Sequence, residues 1–167
     1  CLVAPTEILA FQHFKNFKEN FEKLGLVVKV LTGSTKSSER KILLNDLKNG
    51  SINLLIGTHA IFEQNVIFNN LAYAVIDEQH RFGVKQRSRI WEKNNPPPHI
   101  LIMTATPIPR TLTMSLYGDL DLSIIDELPP GRKDVLTVHR KDKNRLKVFG
   151  FIRDQINQGR QIYIVYP

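Results

Sequence analysis

At 167 residues the chain is long enough for one domain, or for one domain and part of another, and 42% hydrophobic residues without a low-complexity tract mark it as globular. No apolar run approaches the ~20 residues that a membrane-spanning helix needs, and no signal-peptide pattern is present, so a cytoplasmic protein with no membrane partner is expected. The single cysteine, Cys1, excludes intrachain disulfides and cysteine-built zinc sites, while the net charge of +7 favours a polyanionic partner, nucleic acid or a membrane surface, over an acidic protein.

Residues 1–4 read as a strand and Thr6 as the cap of a helix reaching residue 24, with Phe14, Phe17, Phe21 and Leu24 on one apolar face and Gly25 as the stop. A second strand at 26–31 leads into Thr32-Gly33-Ser34. Ser37 or Ser38 then caps a helix through residue 48 that turns Ile42, Leu43 and Leu47 inward. A third strand at 52–56 ends in Gly57-Thr58-His59-Ala60. The fourth, LAYAVI at 71–76, is a continuous apolar run suited to a parallel strand buried on both faces, and it presents Asp77, Glu78, Gln79 and His80 at its carboxyl end. A helix at 84–93, a strand at 99–104 and a helix from Pro109 to residue 117 follow. This alternation predicts a doubly wound, mostly parallel α/β sheet. The charged Pro-Pro-Gly stretch at 127–134 is the best linker candidate, which makes 1–126 one domain. Residues 135–167 then begin another, as strand 135–138, helix 143–157 and strand 160–166. Seven cations (Arg132, Lys133, Arg140, Lys141, Lys143, Arg145, Lys147) crowd its start.

Paired carboxylates beyond a strand's carboxyl end stand where open parallel sheets bind ligands. Asp77-Glu78 fits a Walker B element: phosphoryl chemistry on a nucleotide needs Mg²⁺, held through a carboxylate and waters, and a group that orients the attacking water. Asp77 suits the first task and Glu78 the second. Thr104-Ala105-Thr106, at the end of the next strand, has the small and hydroxyl side chains that permit close approach to Glu78 or His80. His13 and His59 have no second His or Cys at ligand spacing and read as hydrogen-bonding histidines.

APTEILAFQH (4–13), LTGS (31–34), GTHA (57–60), DEQHRFGVKQR (77–87), TATPIPRTL (104–112) and YGDLDLSIIDELPPGR (117–132) occur in that order. Together they resemble the motor core of RecG-type ATP-dependent DNA helicases of superfamily 2, over the whole chain. The resemblance implies a RecA-like fold, with Asp77 and Glu78 as the Mg²⁺ and water-activating carboxylates. It implies that Gln79, His80, Thr104, Ala105 and Thr106 couple ATP to DNA. Pro5, Thr6, Glu7, Thr32, Gly33, Ser34, Gly57, Thr58 and His59 are implied contacts to a DNA strand, where backbone N–H groups and hydroxyls at helix N-termini suit phosphate oxygens. Residues 161–167 match the entry to the second RecA-like domain.

The implied intact enzyme is a bacterial, nucleoid-associated monomer that uses ATP and Mg²⁺ to remodel branched or forked DNA. The translocase module of the transcription-repair coupling factor is the nearest alternative. It usually reads DEEH where this chain has Asp77-Glu78-Gln79-His80, and it lacks the YGDLD and PPGR wording. A non-catalytic α/β nucleic-acid-binding module is the alternative of another class. No GxxxxGK[ST] occurs in the 167 residues, and GSTKSS at 33–38 lacks the second glycine before its lysine. The apolar opening CLVAPT without a Met, and a lone βαβ at 135–167 that cannot bury its apolar faces, make both ends read as cut from a longer protein. The piece alone is expected to hold no nucleotide tightly, to be inactive, and to self-associate through 135–167.

Overall fold

A computed structural model describes residues 1–78, 89–105, 121–133 and 135–165. The chain divides into two compact units, Cys1–Leu120 and Asp121–Pro167.

The first unit is built on five parallel strands: β1 (Leu2–Val3), β2 (Val28–Leu31), β3 (Leu54–Gly57), β4 (Tyr73–Asp77) and β5 (His99–Met103). Their spatial order is β2-β3-β1-β4-β5. Helix α1 (Glu7–Phe21) follows β1, and α2 (Ser37–Lys48) follows β2. Side chains alternate across each strand, so one strand feeds two cores. Leu2, Ala4, Val28 and Ile56 pack with Ala10 of α1, against Phe14, Phe17 and Phe21. Val3, Leu31, Leu55, Ala74 and Ile76 pack on the other face with Leu43 and Leu47 of α2, Phe62 and Ile90. Burying a side chain such as Ile56 or Ile76 completely contributes roughly 2 kcal/mol, which explains why the strands read as unbroken apolar runs.

The two faces also explain the strand order. The connection from β1 leftward to β2 packs on one face, while α2 and the described parts of the connections from β3 to β4 and β4 to β5 pack on the other. Reversing direction along the sheet requires that change of face if all crossovers keep one hand, and right-handed crossovers are the rule. Connections leaving β1 and its neighbours part to opposite faces, so the carboxyl end of β1 is flanked by the switch points where such sheets hold ligands.

Local chemistry sets the ends of the elements. Thr6 caps α1, its Oγ1 accepting from the Leu9 N–H at 3.3 Å. Gly25 closes the 3₁₀ turn Glu22–Leu24 at φ 73°, a conformation glycine takes without penalty. Two inward assignments fail: Leu24 is 73% exposed and Ile42 65%. Leu24 falls in the 3₁₀ turn, where the helical phase that aligns it with Phe14 and Phe21 is lost. Ile42 lies beside Leu43 in α2, and the two cannot share a face at 3.6 residues per turn. Lys36 rather than Ser37 or Ser38 occupies the cap of α2, with no side-chain bond. The 3₁₀ turn His59–Phe62 and the chain after it are pinned by Lys93, whose ammonium donates to the carbonyls of Glu63 (2.5 Å) and Val66 (2.7 Å). Burial, then the charge of Arg89, lowers the pKa of Lys93.

In the second unit, α3 (Arg145–Asn157) forms as expected behind the turn Asp142–Asn144, but it buries no residue. The strands expected at 135–138 and 160–166 do not form over residues 135–138 and 160–165. A strand needs a partner edge and a face to cover, and some 30–40 residues around one helix supply neither.

Candidate functional site

Register brings five strand ends level. Leu31, Gly57, Val3, Ile76 and Ile102 pair in one row across the sheet. The residues that follow in each strand therefore form a common carboxyl edge, which carries every described site residue of the sequence reading.

At one end of this edge stand the carboxylates. Asp77 closes β4 opposite Met103 of β5, so Glu78 reaches the level of Thr104 and Ala105. Glu78 holds φ 49°, a left-handed conformation uncommon outside glycine, and strain of this kind, of order 1–3 kcal/mol, clusters at functional sites. Its Oε2 accepts the Ala105 N–H at 3.5 Å. The close approach expected of the Thr104 segment is thus made by the Ala105 backbone. Asp77 is partly shielded, and its Oδ2 lies 3.4 Å from Nε2 of His13 on α1. Among the described residues no three His, Cys, Asp or Glu side chains gather as a metal cage. A single carboxylate of this kind suits a hard cation held partly through water, the chemistry expected of Asp77.

At the other end, Glu7 in the first turn of α1 grips the loop after β2. Its Oε1 accepts the Ser34 N–H at 3.0 Å and its Oε2 the Ser34 hydroxyl at 2.9 Å. These bonds, the Ser34 hydroxyl foremost, hold the Glu7 carboxyl below its ordinary pKa. Within the loop, the Thr32 N–H donates to Thr35 Oγ1 at 3.0 Å, and the Thr32 and Ser34 hydroxyls lie 3.0 Å apart. Gly57 ends β3 against the Leu31 carbonyl, which also accepts the Thr58 N–H at 3.2 Å.

The expected strand contacts divide by exposure. Thr6, Gly33, Ser34 and His59 face solvent, and Pro5 and Glu7 do so in part. Thr32 and Thr58 are 1% and 2% exposed, and among the described residues the Thr58 hydroxyl has no hydrogen-bond partner. Thr32 therefore shapes the loop from within. Gln79, His80 and Thr106 lie outside the described residues. The sequence reading left His13 as a generic hydrogen-bonding histidine; the only signal of its partnership is a place six residues beyond Glu7, on a helix that leaves the same sheet edge.

This edge, with its carboxylate pair beside a small-residue strand end, has the arrangement of a nucleotide-driven motor domain. The chain belongs to the DEAD/DEAH box helicase family, which matches residues 1–115. Along nearly its whole length it is similar to ATP-dependent DNA helicase RecG. It is 48% identical to that protein of Aquifex aeolicus (strain VF5), over 99% of this chain and 21% of the relative. It is 50% identical to that of Escherichia coli (strain K12), over 98% and 24%. A solved structure of RecG bound to a three-way DNA junction superposes with a TM-score of 0.77 at 41% identity, covering 99% of this chain and 22% of that one. The chain thus spans about a fifth to a quarter of the length of these relatives.

Proposed function

We propose that the chain is part of the motor of a RecG-type DNA helicase that remodels branched DNA, such as stalled forks and recombination junctions, in the bacterial cytoplasm at the nucleoid. The observation that carries this reading is the shared carboxyl edge. A carboxylate pair at one end, Asp77-Glu78, and an amide- and hydroxyl-rich loop at the other, Thr32–Ser34, are set by one sheet register. The names and identity of the RecG relatives support it. Gln79 and the PPGR at 129–132 favour it over the coupling-factor translocase.

In this reading, ATP with Mg²⁺, when bound, would supply a transferable phosphoryl group. Asp77 would hold the metal through its water shell. Glu78, its Oε2 bonded by the Ala105 N–H, would orient a water and take its proton. Gly33 and His59, exposed on this edge, would lie along the phosphates of one DNA strand, and Ser34, its N–H and hydroxyl held by Glu7, shapes the loop beside them; such contacts position without reading sequence. Residues 127–134 act as linker and 135–167 as the opening of a second RecA-like domain. The intact protein acts as a monomer. The exposed apolar side chains of α3 support self-association of the 167-residue piece.

Glu78→Gln in the full-length protein that carries this chain tests the reading. It should lower DNA-stimulated ATP hydrolysis by at least about a hundredfold, while nucleotide binding persists. Hydrolysis at the wild-type rate removes the proposal.

A further inference from the structure

The helix between the two ends of the edge carries an inference of its own. Helix α1 touches the Thr32–Ser34 loop through Glu7 and the end of β4 through His13. Six residues separate the two side chains, a rise of about 9 Å along a helix. Between and beyond them Ala10 is fully buried and Phe14 and Phe17 pack on the sheet, so both anchors ride on one seated element. A carboxylate oxygen brings no proton, so the hydrogen in the 3.4 Å contact is on Nε2 of His13, donated to Asp77 Oδ2. Among the described residues no other side chain bonds to Asp77. The side chains are 27% and 22% exposed, shielded enough for the bond to orient the carboxylate.

We propose that His13 is a positioning residue for Asp77, and that through it α1 ties the Thr32–Ser34 loop to the carboxylate that holds the metal. The inference rests on the reading of Asp77 given above. His13 leaves one Asp77 oxygen facing the metal's waters and fixes its direction. Partners of this kind affect metal affinity by 10–100-fold when they orient a direct ligand. Here the bond is long and waters intervene, so the lower end applies. A tug on the loop through Glu7 moves α1 and changes the His13–Asp77 contact, so strand contact and metal grip bias each other.

The test uses the full-length protein that carries this chain, with His13→Ala, His13→Gln and Asp77→Asn. Mn²⁺ affinity is read by electron paramagnetic resonance in the presence of a non-hydrolysable ATP analogue. The ratio of DNA-stimulated to basal hydrolysis, nucleotide-free DNA affinity and the thermal midpoint are read alongside. His13→Ala should weaken Mn²⁺ binding about five- to tenfold and lower the stimulation ratio, with DNA affinity unchanged. His13→Gln, whose amide N–H reaches the same oxygen, should restore both. Wild-type Mn²⁺ affinity in His13→Ala, or a His13→Gln protein as weak as His13→Ala, overturns the proposal. If His13→Ala fails to fold, His13→Met against His13→Gln makes the same comparison. Full Mn²⁺ affinity in Asp77→Asn overturns the reading of Asp77 and the proposal with it. A loss confined to Asp77→Asn overturns the role of His13 alone.

Discussion

Gly57 carries more of the site than its size suggests. A Cβ on it would stand 2.1 Å from the Leu31 carbonyl oxygen and 3.1 Å from Ile61. The obstruction is backbone, which cannot swing aside like a side-chain tip. Gly57→Ala therefore forces β2 from β3 where their loops meet, and should destabilise the fold by about 3 kcal/mol, read from the urea midpoint. Glu7 makes a different prediction. Its folded pKa lies below 4.5, so the unfolded chain binds more protons as pH falls through that interval. Its hydrogen bonds to Ser34 therefore contribute fully above pH 4.5 and are lost as pH drops through the folded value. The difference in urea midpoint between wild type and Glu7→Gln should be largest near neutrality and shrink progressively as pH falls below 4.5. Amide exchange at Ser34 should accelerate over the same interval. A difference independent of pH would remove the carboxylate from the account.

At the scale of elements, periodicity locates helices well and their exposure less well. Helix α1 buries Ala10 and seats Phe14, Phe17 and Phe21, as its spacing predicts. Leu24 and Ile42 show the limit: one is lost to a change of helix type at the terminus, the other to a phase that a neighbouring leucine already fills. Helix α3 is the sharper case. It forms where expected, yet Leu146, Phe149, Phe151 and Ile156 are 85, 45, 63 and 55% exposed. Exposed side chains of this size in one short helix favour association. Light scattering on the 167-residue polypeptide should find a concentration-dependent oligomer, and Phe151→Glu should shift it toward monomer. A monomer at high concentration removes that proposal.

The whole molecule presents a site in halves. The 167 residues contain the carboxylates and the edge proposed to meet a DNA strand but no GxxxxGK[ST], whose backbone N–H groups would cradle phosphates. We therefore expect no ATP turnover from the purified 167-residue polypeptide, with or without DNA, in a phosphate-release assay. Stimulated turnover would show that the carboxylate end works without that loop. The charge of +7 adds no argument for sequence-specific reading, because phosphate contacts position a protein without selecting bases.

The sequence alone determined the alternation of strand and helix and the placing of Asp77-Glu78 at a strand end, which follow from local period and composition and need no knowledge of what packs against what. The burial expected on both faces of the 71–76 strand is met on one: Ala74 and Ile76 are buried, but Tyr73 is 49% exposed. Only the tertiary structure decided the order β2-β3-β1-β4-β5 and the level row of strand ends that gathers the site. It also decided that Thr58 is buried, that Gly57 is a point of backbone contact, and that residues 135–138 form no strand. His13 and Asp77 meet across 64 residues of chain, and no local pattern carries such a contact. Pairing between distant segments is settled by which crossovers are right-handed and which faces can be covered, and those are properties of the folded sheet.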